Sequence, residues 1–445
     1  MRAAVCLGLA VALAFLTLRA DAVDLMTAYR DALANDANFL AARSALDAAR
    51  ESVPIARAGL LPQVTLNAQR TYNQTTNRQT IPTGPALTRH DDYSAGTGAL
   101  SLRQPLFRMA SWAQLSMAEA QVAAAEAVFE KERQDAGLRV AGAYFDVLLA
   151  QSQVSALEAQ LQAMTGQQRL AERALAAGHG TRTDIDEARA RVEQAKATLV
   201  VANYHVDNMR RALGSLIGRA PSTLADVVPT RLALVPAQPA LLDHWMQQME
   251  TGNPELATLR RQVDMAAQDV EKQRAGHYPT LDLIAARQYG SNESNISINV
   301  NYATSYIGVQ FSAPIYSGGS VAAAVRQTQA NLEKARYVLE ANRQRLSADT
   351  QRFFYGVAQG VDRVQAFDIA LQAAEQALVS IRRGSQAGTH TQVDVLNALQ
   401  RVAEGKRALA QARYDFLMNR LRLAATTGQL DDEQIASINS ALREP

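Results

Sequence analysis

Apolar and small residues recur at Ile185, Ala188, Val192, Ala195, Leu199, Ala202, Val206, Met209, Leu213 and Leu216, in steps that alternate three and four. A seam of that period, sustained over about four heptads, predicts coiled-coil packing of a helix. Shifted by 210 residues, the same positions read Val395, Ala398, Val402, Gly405, Leu409, Ala412, Phe416, Asn419, Leu423 and Thr426, and the pattern survives with three weaker members. Each seam follows a similar turn, AGHGTRTDIDEA from Ala177 and AGTHTQVDVLNA from Ala387, and each turn follows a long run rich in Ala, Gln, Leu, Arg and Glu. These residues are strong helix formers. None of the thirteen prolines lies between Pro105 and Pro221 or between Pro314 and Pro445. Helices are therefore expected over 111–177 and 320–386, each about 100 Å long at ~1.5 Å per residue, folding back at the glycine turns as antiparallel hairpins. Gly137, Gly142, Gly356 and Gly360 are candidate points of local loosening.

The pattern changes to period two in front of each long helix. Val64, Leu66 and Ala68 alternate with Gln63, Thr65, Asn67 and Gln69, and Ile296, Ile298, Val300 and Tyr302 alternate with Ser297, Asn299 and Asn301. Such alternation predicts strands with one polar face. Strand pairs are expected over about 62–105 and 279–314, with polar loops over 73–92 and 290–295. ARAGLLPQVTL, from Ala56, aligns with QRAGHYPTLDL, from Gln273, and RQPLFRMAS, from Arg103, aligns with SAPIYSGGS, from Ser312. The chain thus reads as two structural repeats. The first spans 23–220, with its hairpin at 111–217, and the second spans 240–428, with its hairpin at 320–427. A proline-rich connector fills 221–239 and a polar tail 429–445.

Arg2 followed by an apolar run to Leu18, with Ala20 and Ala22 as small residues before a cleavage point, predicts a secretory signal peptide over 1–22. The one cysteine, Cys6, leaves with it. The mature chain then has no disulfide and no thiolate chemistry. Removing Arg2, Arg19 and Asp21 leaves 43 basic and 42 acidic residues, a balance with no electrostatic footprint for nucleic acid. No later run reaches the ~18 apolar residues of a spanning helix. The six histidines show no metal-ligand spacing, no serine lies in a GxSxG context, and GSQAGTH at Gly384 lacks the Gly-Lys ending of a phosphate loop. No enzyme and no cofactor is expected. His179 and His390, both in the turns, read as solvated loop histidines before they read as metal ligands.

Four strands per chain cannot close a barrel, but several chains together can. Strands of about ten residues with one apolar face, flanked by Tyr72, Tyr93, Phe107, Tyr278, Tyr289, Tyr302, Tyr306, Phe311 and Tyr316, fit a transmembrane barrel. The same pattern fits a water-soluble sandwich with surface tyrosines. The signal peptide and the long helices favour the membrane.

GTHTQVDVLNA together with LAQARYDFLMNRLRLAATTGQL, from Leu409, resembles the end of the second repeat of the TolC-like outer-membrane factors of Gram-negative bacteria. ARAGLLPQ, QPLF and APIYSGG are similar to the family's strand-flanking motifs, and the resemblance covers nearly the whole mature chain. It implies a mainly α chain with a β membrane part. Three copies would share a twelve-stranded outer-membrane barrel continuing into a periplasmic tunnel of coiled-coil hairpins. It implies a homotrimer embedded in outer-membrane lipid, a passive exit duct for type I protein secretion or drug efflux. The partners would be a periplasmic adaptor and an inner-membrane ABC or proton-driven transporter, and the cargo an exported protein or small molecule. A periplasmic scaffold or adaptor without a pore is the alternative from another class.

Within the resemblance, Asp394 matches the acidic constriction of the duct, and Asn397, one helical turn on, departs from an acidic family position. Asp184, Thr183, Ser385, His390 and Thr391 match polar links between hairpin tips. The family has tyrosine and arginine where Ser385 and His390 stand, so its salt bridge does not carry over directly; a neutral His390 would hydrogen-bond Asp184, and a protonated one would pair with it more strongly. Arg182 and Gln392, beside the turns, are candidate adaptor contacts. Ordinary helix capping accounts equally for Thr181, Asp184 and Thr391.

Overall fold

A computed structural model describes residues 23–442 apart from 81, 179, 222 and 293–299. The elements in chain order are α1 Leu25–Asn35, α2 Ala37–Arg50, α3 Ser52–Ala58, β1 Gln63–Gln79, β2 Leu87–Phe107, α4 Met109–Ala176, α5 Arg182–Ile217, α6 Leu242–Gly252, α7 Pro254–Arg274, β3 Thr280–Asn292, β4 Val300–Ser312, α8 Ser320–Gln386, α9 Gln392–Thr426 and α10 Asp432–Asn439. The expected signal peptide, His179, Ile296 and Ile298 lie outside the described residues. The chain divides into two compact units, residues 1–40, 132–253 and 346–445 in one and 41–131 and 254–345 in the other. Each unit draws on both sequence repeats, so duplication and compactness partition the chain differently.

In the first unit, Tyr144, Phe145 and Leu148 of α4 pack with Leu213 of α5, Val357 of α8, and Phe416, Leu417 and Leu421 of α9. Gly360 permits close packing here: a Cβ would stand 3.0 Å from the Phe416 ring, which would have to give by a few tenths of an ångström. The four glycines expected to loosen the helices leave α4 and α8 unbroken. The seam on α5 buries Ala188, Val192, Ala195, Val206 and Leu213, then drifts from Leu216 to Ile217. That is the drift a 3.6-residue turn makes against a 3.5-residue repeat. On α9 a second stripe, Leu396, Leu399, Ala403, Leu417, Leu421 and Ala424, is buried as well. The polar tail expected after Gly428 is instead a helix, α10, capped by Asp431 and anchored by buried Ile435 and Ile438. Composition hid it because only those two side chains of the helix reach the core.

Tyr144 lies at the centre of this core, its hydroxyl 2.9 Å from the carbonyl of Val23 and 2.7 Å from that of Ala225. Burial pushes its phenol well above the ordinary range. Asp36 is also buried, at 4% side-chain exposure, and accepts from Arg139 at 2.6 Å, while Arg139 donates at 2.7 Å to Glu132.

In the second unit, the four strands form one antiparallel sheet in the order β1-β2-β3-β4, so the β2–β3 pairing joins the two repeats. Strands β1 and β2 are longer than expected, because the polar stretch 73–92, read as a loop, pairs from Asn73 opposite Tyr93 to Gln79 opposite Leu87. Its Thr, Asn and Gln residues pair as a polar ribbon, which an apolar-alternation criterion passes over. Direct cross-strand partners share a face, and the register therefore defines two. One carries Val64 and Leu66, Leu100 and Leu102, Leu281, Leu283 and Ala285, and Ile307, Val309 and Phe311; the other carries Gln63, Thr65 and Asn67, Ser101 and Arg103, Asp282 and Gln288, and Thr304 and Gln310. Leu66 and Ile307 are 74% and 75% exposed. Val300 and Tyr302, read from sequence as apolar-face positions, share parity with Gln310 and lie on the polar face. The apolar alternation of β4 is carried by its odd positions, Ile307 to Phe311. The aromatic residues divide likewise: Tyr72, Tyr289 and Phe311 stand on the apolar face, Tyr93, Tyr302 and Tyr306 on the polar one.

Replacing Arg139 by Ala leaves Asp36 buried without its cation, which costs about 3 kcal/mol, the low end for a broken buried pair, since the guanidinium is one-third exposed. Urea unfolding followed by the fluorescence of Trp245, which packs against this core, measures the shift. The paired change Arg139→Met with Asp36→Asn recovers most of it.

Candidate functional site at the hairpin tips

Both turns are built alike. Helix α4 ends at Gly178 (φ +78°) and α8 at Gly388 (φ +80°), left-handed positions that favour glycine. Helix α5 then begins under Thr181 and α9 under Thr391, each with a reciprocal capping box. At the first tip the Thr181 hydroxyl donates to Asp184 Oδ2 at 2.6 Å and accepts from the Asp184 N–H at 3.2 Å. At the second, the hydroxyl and the N–H of Thr391 both donate to Asp394 Oδ2 at 2.8 Å, and the Asp394 N–H returns a bond to the Thr391 hydroxyl at 3.2 Å. The second turn is tightened further by the Gly384 carbonyl, which accepts from the Thr389 N–H at 2.8 Å and from its hydroxyl at 3.0 Å.

Behind the caps, Met164 of α4, Ala188, Val192 and Ala195 of α5, Leu378 of α8, and Val395, Leu396, Ala398 and Leu399 of α9 form a separate apolar cluster. All four long helices contribute, so the two tips of one chain share a single support. Gln167 of α4 donates to the side chain of Gln392 on α9, a polar link between hairpins placed beside this cluster. Gln392 is accordingly half-buried, where adaptor contact had been expected to find it exposed. Arg182 is exposed at 77%, 3.6 Å from Asp186.

The remaining candidates divide between the two tips. Thr183 and Asn397 are exposed, and Ser385 is half-buried. Within this chain the carboxylate facing His390 is its own Asp394, with Nδ1 to Oδ2 at 3.6 Å, while Asp184 is engaged by Thr181. The backbone N–H and then the hydroxyl of Thr391 hold the Asp394 carboxyl below the usual carboxylate range, with a smaller contribution from His390. Capping and an exposed charge coexist here, because all these bonds fall on one oxygen of a side chain still 45% exposed. Among the described residues there is no cluster of three metal-ligating side chains. No described helix is long and apolar enough to cross a membrane.

The chain combines a four-stranded sheet with one exposed apolar face, whose edges have no strand beside them among the described residues, with two long capped hairpins. The sequence model of the outer membrane efflux protein family matches residues 28–219 and 245–429, and the chain belongs to that family. It is 32% identical over 424 residues to the proteases secretion protein PrtF of Dickeya chrysanthemi, covering 94% of this chain and 91% of that one. It is also 32% identical to the alkaline protease secretion protein AprF of Pseudomonas aeruginosa, covering 94% and 88%. The solved structure of the outer membrane protein VceC from Vibrio cholerae superposes with a TM-score of 0.77 at 21% identity, over 92% of this chain and 97% of that one. The protein is an outer-membrane channel, and the poreless periplasmic scaffold is set aside.

Sequence reasoning passed over the Gln167–Gln392 link and the cluster of Asp282 with Arg103 and Arg108 on the sheet. Asp282 had a visible signal, as the lone acid inside the apolar run LDLI.

Because the folded pKa of Asp394 is depressed, its contribution to the tip is fully present above the unfolded carboxylate pKa of about 3.9 and fades as pH falls through the lower folded value. Hydrogen exchange in peptides covering 391–396, corrected for intrinsic rates, shows constant protection from pH 7 to about 4 and loss below. Asp394→Asn removes that acid dependence. Thr391→Ala lowers tip protection by about 1 kcal/mol, the usual value of an N-cap.

Proposed function

We propose that three copies of this chain pool their sheets into one twelve-stranded outer-membrane barrel, with their hairpins forming a periplasmic conduit. One observation carries this reading: a four-stranded sheet whose apolar face is exposed and whose edges, β1 and β4, have no strand beside them among the described residues. Unpaired edge groups are not tolerated in lipid, so the sheet must close on neighbouring copies. In this assembly 1–22 is removed on export, and the repeats 23–220 and 240–428 each supply one strand pair and one hairpin.

The conduit is a passive exit duct, recruited by an inner-membrane transporter through a periplasmic adaptor. Its cargo is an exported protein, a reading supported by the two relatives whose names are those of protease secretion proteins. Three Asp394 carboxylates form its acidic constriction, with Asn397 one turn further along α9 making that gate less negative. Asp184, Thr183, Ser385, His390 and Thr391 contribute polar links between tips, those of His390 and Ser385 reaching neighbouring copies. Arg182 is the exposed adaptor contact, and Gln392 contributes through its bond to Gln167 rather than by exposure.

Purified protein in planar bilayers gives single channels that a trivalent cation on the periplasmic side blocks in wild type and not in Asp394→Ala. Channels blocked equally in both would remove Asp394 from the constriction. A folded assembly without conductance, or one lacking heat-modifiable migration as a trimer, would overturn the duct itself.

A further inference from the structure

The sheet's polar face ends, on the side of the helices, at a cavity of about 630 Å³ that lies wholly within one compact unit. Thr280 and Ser312, direct partners across β3 and β4, bring two hydroxyls to its wall. Arg108, at the entry to α4, and Lys272, in the last turn of α7, bring two cations, and no acidic residue lines it. The carboxylate nearest Arg108 is Asp282, and it is shared. Arg103 donates to it at 2.5 and 3.0 Å, and Arg108 at 2.9 and 3.3 Å. Two guanidiniums on one carboxylate leave a surplus positive charge. The Nε of Arg108 is buried without a hydrogen-bond partner. Lys272 forms no ion pair among the described residues, and its neighbour Glu271 is engaged by Arg274 at 2.6 Å. The cavity meets both the last turn of α7, at Lys272 and Gln273, and the start of the 67-residue helix α8, at Ser320, so the two helix-end potentials oppose each other and the side-chain cations decide the sign.

We propose that this cavity is an anion-binding site for an inorganic phosphoanion up to the size of pyrophosphate, with Arg108 and Lys272 as charged donors and Thr280 and Ser312 as neutral ones. An isolated cation on a protein surface is ordinarily solvated and selects nothing. Here two cations converge with two hydroxyl-bearing residues on one wall. Charge-assisted bonds of this kind are about twice as strong as neutral ones. The anion is either free in solution or carried on passing cargo; its arrival through the duct rests on the channel reading, whereas its binding does not.

The test titrates inorganic pyrophosphate into the full-length detergent-solubilised protein by calorimetry. Wild type binds it, Lys272→Gln weakens binding at least tenfold, and Lys334→Gln, a lysine on α8 outside the cavity, leaves it unchanged. Absence of binding, or equal affinity in Lys272→Gln and wild type, overturns the site. Thermal unfolding of each variant confirms an intact fold. In bilayers, pyrophosphate reduces wild-type current and fails to do so in Lys272→Gln, which supports delivery along the conduction path. Binding without block overturns that delivery and keeps the site. Absence of any channel counts against the proposed function alone, because calorimetry decides the anion site independently.

Discussion

The constraint on which the rest of this structure depends is the edge of its sheet, which has no strand beside it among the described residues. Backbone N–H and C=O groups must be paired wherever water is excluded, and four strands satisfy each other only internally. The faces make the constraint sharper. Leu66, Leu100, Ile307 and Phe311 lie on one exposed face while Gln63, Ser101, Asp282 and Gln310 lie on the other. A lone sheet of this kind is poorly placed both in water and in lipid. In the proposed assembly, closure with further copies would resolve both difficulties, and the long hairpins would inherit the symmetry that closure imposes.

The duplication explains how one chain meets that demand twice. Gly178 and Gly388 end the outgoing helices, Gly218 and Gly428 follow the returning ones, and all four have positive φ at the same 210-residue offset. The backbone has kept its punctuation while the side chains between have diverged. Divergence is clearest in the returning helices, where α5 buries mainly one stripe and α9 buries two. Helix α9 is thus the more enclosed member, and its cap residue Asp394 stands at the tip of the better supported hairpin. Equivalent capping boxes at Thr181 and Thr391 therefore need not do equivalent work.

Much of this was legible in sequence because the signals were local. Proline-free runs, glycine turns and a three-four seam are properties of neighbouring residues, and they gave the helices, the turns and most seam positions directly. What was hidden depended on partners distant in the chain. Residues 73–79 and 87–92 become strand only because one polar half finds the other, and Val300 and Tyr302 change face only once Ser312 is registered against Thr280. Helix α10 is invisible to composition because its two anchoring isoleucines matter only against a core assembled elsewhere. At the tips, the capping residues were readable from their spacing, whereas the partners of His390 and Gln392 were not. A spacing rule can place a side chain beside a turn; it cannot say which of two nearby carboxylates that side chain faces.

The Asp282 cluster joins these themes. An aspartate in an apolar strand run would be costly if left unpaired, and here two arginines from the end of β2 and the turn beyond it converge on it. Pro105 cannot donate to the ladder, and the β2–β3 register shifts between it and Phe107. A ladder interrupted at that point needs another tie, and Arg103 and Arg108 supply it on either side of the irregularity. The same arrangement that fixes the strand to its neighbour also places two guanidiniums on one carboxylate.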